Sequence, residues 1–152
     1  MRIFMDADAC PRAIKEILFR AVARVNVPLV MVYNLKLKIP ETPNISVIDV
    51  PGGLDEADDK IVELAAPGDL VVTADIPLAD RVVSRGAVAL NPRGTFYTPE
   101  TIKDRLAVRN LMDQLRGQGA NIGGPPVFNH QDRRAFANEL DKFLAKHGKT
   151  LG

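Results

Sequence analysis

An alternation along the chain restricts its fold more than any other feature. Short apolar runs bounded by turn signals take turns with segments whose apolar residues recur at helical spacing. Ile3–Met5, Leu29–Tyr33, Ile45–Val50, Asp69–Thr73 and Ala87–Leu90 read as strands, short and continuous in the manner of strands buried on both faces. Pro11 suits the first position of a helix, where its missing N–H costs nothing. Ile14, Ile17, Leu18, Ala21, Val22 and Val25 then follow at helical spacing until Asn26 and Pro28 stop the run. The stretch from Lys36 to Asn44, with two prolines, reads as an irregular connection. After the break at Pro51-Gly52-Gly53, a second helix presents Ala57, Ile61, Leu64 and Ala65 on one face and ends at Pro67-Gly68. A third runs from about Pro77 to Arg85 and closes at Gly86. Strand and helix in this order predict a three-layer α/β fold, a mostly parallel twisted sheet with helices on both faces, joined by right-handed crossovers.

The last third changes character. A helix is predicted from Pro99 to Arg116, then a glycine- and proline-rich break (Gly117, Gly119, Gly123, Gly124, Pro125, Pro126). Asn129 is placed to cap a final helix with Phe136, Leu140, Phe143 and Leu144 on its inner face. The 152 residues suit one domain, and residues 1–152 are read as such, with the last third packed beside the sheet.

Composition removes several classes of function. A net charge of +1 gives no overall pull towards nucleic acid or membrane, so electrostatic targeting has to come from local patches. One cysteine excludes an internal disulfide and fits a reducing compartment. The amino terminus turns acidic too early for a signal peptide, and no run reaches the roughly 18 apolar residues of a membrane helix. The expectation is a cytoplasmic protein with no membrane partner.

The acidic residues carry the chemistry. Ile3-Phe4-Met5 ends in Asp6-Ala7-Asp8-Ala9-Cys10-Pro11, and Leu70-Val71-Val72 ends in Thr73-Ala74-Asp75. Ligands of open α/β sheets bind beyond the carboxyl ends of the strands, so Asp6 and Asp75 are expected to face one cleft. A third source is Asp55-Glu56-Ala57-Asp58-Asp59, where Asp55, Asp58 and Asp59 share a side of the helical wheel and Asp58 lies nearest the apolar edge. Two unit charges about 4 Å apart repel by about 4 kcal/mol at an effective dielectric near 20, so converging carboxylates call for a cation. Oxygen donors suit Mg²⁺ or Mn²⁺, with Asp6, Asp58 and Asp75 as ligands and Asp8 and Asp55 as additional catalytic candidates. The two histidines, His130 and His147, are not spaced for zinc. The alternative is plain: acids at the start of a helix satisfy its amides and dipole, and Asp8, Asp55, Asp58 and Asp75 all precede or begin helices. A carboxylate-held Mg²⁺ suits phosphodiester hydrolysis.

Asp6-Ala7-Asp8-Ala9-Cys10-Pro11, Thr73-Ala74-Asp75-Ile76-Pro77-Leu78-Ala79 and Asn91-Pro92-Arg93-Gly94 together resemble the YaiI/YqxD family of uncharacterised bacterial proteins, and Gly123-Gly124-Pro125 and Asp132-Arg133 fit the same pattern. The resemblance covers nearly the whole chain. That family in turn resembles the PIN-like nucleases, in which an acid ends the first strand, one or more lie on a central helix and another follows the fourth strand near a Thr-x-Asp. Asp6, Asp55 or Asp58, and Asp75 stand at those places. The resemblance implies a PIN-like topology and a metal-dependent nuclease, with RNA as the substrate by analogy. It also implies a further acid soon after the Thr-x-Asp, for which Asp80 is the nearest candidate. Fold alone does not fix activity, and a non-catalytic domain binding nucleic acid or protein is the alternative.

A polyanionic substrate requires cations. Arg105, Arg109 and Arg116 fall within about 40° of one another on the helical wheel beside Val108, Leu111, Met112 and Leu115. Rows of arginine bind phosphate backbones, or else pair with acids such as Asp104 and Asp113. Arg93 follows a strand end, from which it is expected to reach the cleft and, with Arg105, Arg109 and Arg116, to clamp phosphates. Arg133 and Arg134 begin the last helix, the end that disfavours positive charge, which points to a ligand or an acidic partner. Phe96 and Tyr97 are candidates for stacking on a base, although Phe96 also reads as core. No duplex-reading motif is present.

Two other signals compete with this reading. Asp6-Ala7-Asp8 after a strand also resembles the first motif of haloacid-dehalogenase-type phosphatases, with a nucleophilic and an acid aspartate. That reading needs a late acidic pair, whereas Asp58-Asp59 precede the Thr-x-Asp strand. Cys10 precedes a helix start that stabilises thiolates, but the adjacent aspartates oppose ionisation, and a small buried residue is the better reading.

Overall fold

Residues 3–6 form the first and most central strand because every one of them is buried and they alternate between two cores. In the computed structural model, which describes residues 1–7, 10–33, 44–50, 54–119 and 127–147, Ile3 and Met5 of β1 (Ile3–Asp6) face one hydrophobic cluster and Phe4 the other. Strands β2 (Leu29–Tyr33), β3 (Ile45–Asp49), β4 (Leu70–Val72), β5 (Val88–Leu90) and β6 (Phe96–Tyr97) complete a six-stranded sheet in the order β3-β2-β1-β4-β5-β6. The first five are parallel, with Asp6 beside Val32 and Met5 beside Val72; β6 runs antiparallel to β5, Leu90 facing Phe96. The expected mostly parallel, three-layer α/β fold is therefore the observed one.

The helices among the described residues are α1 (Arg12–Val25), α2 (Leu54–Leu64), α3 (Ile76–Ser84), α4 (Pro99–Gly117) and α5 (His130–His147). α1 and α5 lie on one face, where Ile14, Leu18, Phe136 and Leu140 are fully buried against Met5, Met31 and Val72. α2 and α3 lie on the other, packing Ile61, Leu78 and Val82 against Phe4 and Val71. Each such side chain contributes about 1.5–3 kcal/mol on leaving water.

Local signals fix the ends. Asn26 stops α1 in the left-handed conformation. Thr98 caps α4 in a reciprocal box with Thr101. Asn129 caps α5 as expected: its side-chain oxygen accepts from the Asp132 amide at 3.0 Å while the Asp132 carboxylate accepts from the Asn129 amide at 3.1 Å.

Two features differ from the sequence reading. The sequence pattern does not announce β6, because two residues on an antiparallel edge show no periodicity. In addition, α4 is largely external. Of its residues only Ile102 is buried, and Val108 and Leu111 are about half exposed. α4 runs antiparallel to α3, Pro99 lying near Val83 and Lys103 bonded to Asp80 at 2.6 Å. Nineteen residues rise about 28 Å against about 14 Å for the nine of α3. The end of α4 therefore passes beyond the carboxyl edge of the sheet. The loop expected from Lys36 to Asn44 and the glycine-proline pair at Gly123-Gly124-Pro125 lie outside the described residues, apart from Asn44.

Candidate functional site

Strand order reverses between β1 and β4. β1 connects outwards to β2 on one side, and the chain re-enters on the other side as β4. The two helices that leave these strands, α1 and α3, cover opposite faces, so a crevice opens at the carboxyl edge between them. Asp6 ends β1 and Thr73 follows β4 at this crevice.

Asp6 is 5% exposed and Thr73 wholly buried. The Thr73 hydroxyl donates to Asp6 Oδ2 at 3.2 Å and accepts from the Asp75 amide at 3.0 Å. One hydroxyl thus ties the end of the central strand to the start of α3. Asp75, half-buried, adopts an extended conformation at the N-cap of α3, and its Oδ1 accepts from the Leu78 amide at 3.1 Å. This is the helix cap that the sequence also allowed for Asp75.

Cys10 completes the floor. Its thiol lies 3.7 Å from the Val72 carbonyl oxygen as a donor. Burial pushes the thiol far above its ordinary pKa, the Asp6 carboxylate adds to the rise and Lys15 opposes it weakly. A thiol held in this state is neither a nucleophile nor a soft metal ligand. The expectation of a small buried residue holds.

The remaining acids are placed as follows. Asp58 is half-buried on α2. Its neighbour Asp59 pairs with Arg81 of α3 at 2.9 Å. Asp80 pairs with Lys103. Asp8 and the side chain of Asp55 lie outside the described residues. Among the described residues no group of three or more His, Cys, Asp or Glu stands close enough to hold a metal ion. A further buried acid, Asp69, lies at the opposite edge, where it accepts from the Arg2 amide and guanidinium and from the Ala66 amide; its role is to join β1 to β4.

The candidate cations divide into groups. Arg93 is half-buried and bonds Asp132 at 2.7 Å, holding the turn after β5 against the start of α5. Arg109 and Arg116 both pair with Asp113 at 3.2 Å on exposed turns of α4. Such surface pairs are worth about 0–1 kcal/mol and yield readily to a phosphate. Arg105 is exposed, and Arg133 is half-buried beside a hollow between α1 and α5. Tyr97 is buried, its hydroxyl accepting from the Asn91 side-chain amide at 3.0 Å, and Phe96 packs against Phe143 with ring centroids 5.9 Å apart. Both aromatics are structural. A hollow of about 520 Å³ at the amino edge, floored by Val88, Phe96 and Phe143, is distant from the acids.

Thr73 is the site residue that sequence reasoning passed over. The Thr-x-Asp motif marked its position, but only the strand pairing shows that its hydroxyl serves Asp6.

Residues 4–146 match the family model described as "Uncharacterized BCR, YaiI/YqxD family". The chain belongs to the YaiI/YqxD family. It is 55% identical over 150 residues to a UPF0178 protein of Hahella chejuensis, covering 99% of this chain and all of that one. A UPF0178 protein of Halorhodospira halophila is 55% identical over 146 residues, with 96% and 97% covered, and one of Burkholderia vietnamiensis is 52% identical over 149 residues, with 98% and 99% covered. No solved structure matches the chain. The matched residues, 4–146, span Asp6, Thr73 and Asp75. Among the described residues no helix is long and apolar enough to cross a membrane.

Proposed function

We propose that this member of the YaiI/YqxD family is a Mg²⁺- or Mn²⁺-dependent phosphodiester hydrolase acting on RNA. The observation that carries the reading is the Thr73 hydroxyl, which joins the Asp6 carboxylate to the Asp75 backbone amide where the strand order reverses. The donor chemistry fits: Mg²⁺ keeps several waters and takes one or two protein carboxylates, and Asp6 and Asp75 supply hard oxygens. Asp58, Asp8 and Asp55 are the candidates to complete the set. When bound, such a cation polarises a phosphoryl oxygen and lowers the pKa of a water.

The chain's own residues have definite tasks in this reading. Asp6, buried and fixed by Thr73, presents a charge from a site of low dielectric, where its attraction for a cation is stronger than in water. Asp75, at the N-cap of α3, would supply a second carboxylate through the oxygen that does not cap Leu78. Arg105, Arg109, Arg116 and Arg133 bind phosphates on either side, and Arg93 supports the start of α5.

The test is calorimetric titration of Mn²⁺ with a parallel RNA cleavage assay on the wild type, Asp6→Asn and Asp75→Asn. The reading expects saturable Mn²⁺ binding and cleavage in the wild type and loss of both in each variant. Equal metal affinity in all three proteins would reject it.

A further inference from the structure

The hollow beside Arg133 belongs to a longer groove between α1 and α5. Two adjoining cavities of about 310 and 250 Å³ share His130 and Arg133 in their walls. The groove follows α1 from Ala13 to Arg20, about 10 Å by helical rise. Its floor is apolar, with Ile17 in the larger cavity and Phe128 in the smaller; its rim is basic, formed by Arg20 of α1 and His130, Arg133 and Arg134 of α5. Among the described residues no carboxylate lines either cavity, and these four rim side chains make no hydrogen bond or ion pair.

The same two helices show what a closed contact looks like. At their far end Arg24 of α1 bonds Asp141 of α5 at 2.7 Å. Near the other end three guanidiniums from two helices, Arg20, Arg133 and Arg134, line one cavity, and two of them sit in the first turns of α5, where the helix dipole disfavours positive charge. That arrangement costs stability unless an anion joins it. The amino ends of α1 and α5 both lie at the carboxyl edge of the sheet, tied there through Cys10 and through the Arg93–Asp132 pair. The groove therefore starts at the same edge as Asp6 and Thr73.

We propose that the α1–α5 groove seats a single strand of RNA next to the cleavage site, its phosphates on Arg20, Arg133 and Arg134 and a base against Phe128. The proposal rests on the nuclease reading for the identity of the strand. A single strand is favoured over a duplex because a base has to be unstacked to meet a ring.

The experiment is fluorescence anisotropy of a labelled single-stranded RNA of about a dozen nucleotides with the full chain in EDTA, so that no cleavage intervenes. The wild type is expected to bind with affinity that falls steeply with salt. Arg20→Glu/Arg134→Glu is expected to weaken binding at least about tenfold and to flatten the salt slope by about one or two. Arg20→Gln/Arg134→Gln, which places no like charges together, should show a smaller loss in the same direction, and circular dichroism melts check that both variants fold. Unchanged RNA affinity in the folded charge-reversal variant overturns the proposal. So does a poly-glutamate peptide of equal charge that displaces the RNA as well as unlabelled RNA does, because bases would then contribute nothing. The two readings fail separately. RNA held by the groove but never cut, with or without Mn²⁺, removes the nuclease reading and keeps the groove. RNA that is cut with charge-reversal variants binding as the wild type removes the groove and keeps the nuclease.

Discussion

Thr73, fully buried after β4, donates its hydroxyl to the Asp6 carboxylate at the end of β1, 3.2 Å away across the point where the strand order reverses. The same oxygen accepts the Asp75 amide. The two aspartates of the proposed site therefore share one neutral side chain, and their geometry depends on it.

Thr73→Val keeps the shape and removes the hydroxyl. It leaves a buried carboxylate oxygen and the Asp75 amide each short of a partner, so unfolding stability should fall by about 1–3 kcal/mol. The check is a urea titration, in which the midpoint should drop with the slope unchanged. Thr73→Ser keeps the hydroxyl and loses only a methyl group, about 0.8 kcal/mol.

At Asp75 two roles separate by substitution. Asparagine caps a helix about as well as aspartate does, whereas alanine costs about 1 kcal/mol. Asp75→Asn should therefore melt as the wild type and Asp75→Ala should melt lower, by thermal denaturation in EDTA. With millimolar Mn²⁺ present, the wild type should gain stability and Asp75→Asn should not, because only a folded state that binds the ion is stabilised.

How much of this was readable before the structure depends on the range of each interaction. β1 and β4 were legible because both faces of each are buried, so their sequences are unbroken apolar runs. The cap at Asn129 and the pairs of Arg109 and Arg116 with Asp113 were within reach because they span three or four residues. The Thr73–Asp6, Arg93–Asp132 and Lys103–Asp80 contacts span from 23 to 67 residues. Sequence spacing does not announce such contacts; they follow only once the sheet order is fixed. The basic groove was half legible: Arg133 and Arg134 stand out at the wrong end of a helix, but their convergence with Arg20 requires α1 to lie beside α5.

Gly94 has a φ of +90°, and a β-carbon built there would meet the Ala135 carbonyl carbon at 2.7 Å. Gly94→Ala thus combines left-handed strain with a clash against the backbone of α5, next to the Arg93–Asp132 pair. A loss of at least about 2 kcal/mol is expected. Gly68, at φ +88°, has nothing within 4 Å of such a carbon, so Gly68→Ala carries the strain alone. Chemical denaturation of the two variants should rank Gly94→Ala as clearly the more damaging, and equal losses would mean that α5 moves away without cost.

Cys10 provides a pH-dependent prediction whose sign follows from burial. The folded thiol is raised well above the ordinary value, whereas the unfolded thiol titrates near about 8.5. Below that value both states hold the proton, and the thiol contributes no pH dependence. Above it the unfolded chain releases the proton and the folded chain keeps it, so stability declines as pH rises, by up to about 1.4 kcal/mol per pH unit. Cys10→Ala lacks this term but leaves a small gap beneath Asp6, so it should be the less stable protein at neutral pH. Its deficit relative to the wild type should shrink steadily between about pH 8 and 10 in paired urea titrations. Modification by a thiol reagent at about pH 8 should likewise be slow in the native protein and fast in urea. A deficit that stays constant across that range, or rapid native labelling, would place the Cys10 thiol in contact with water and remove it from the floor of the site.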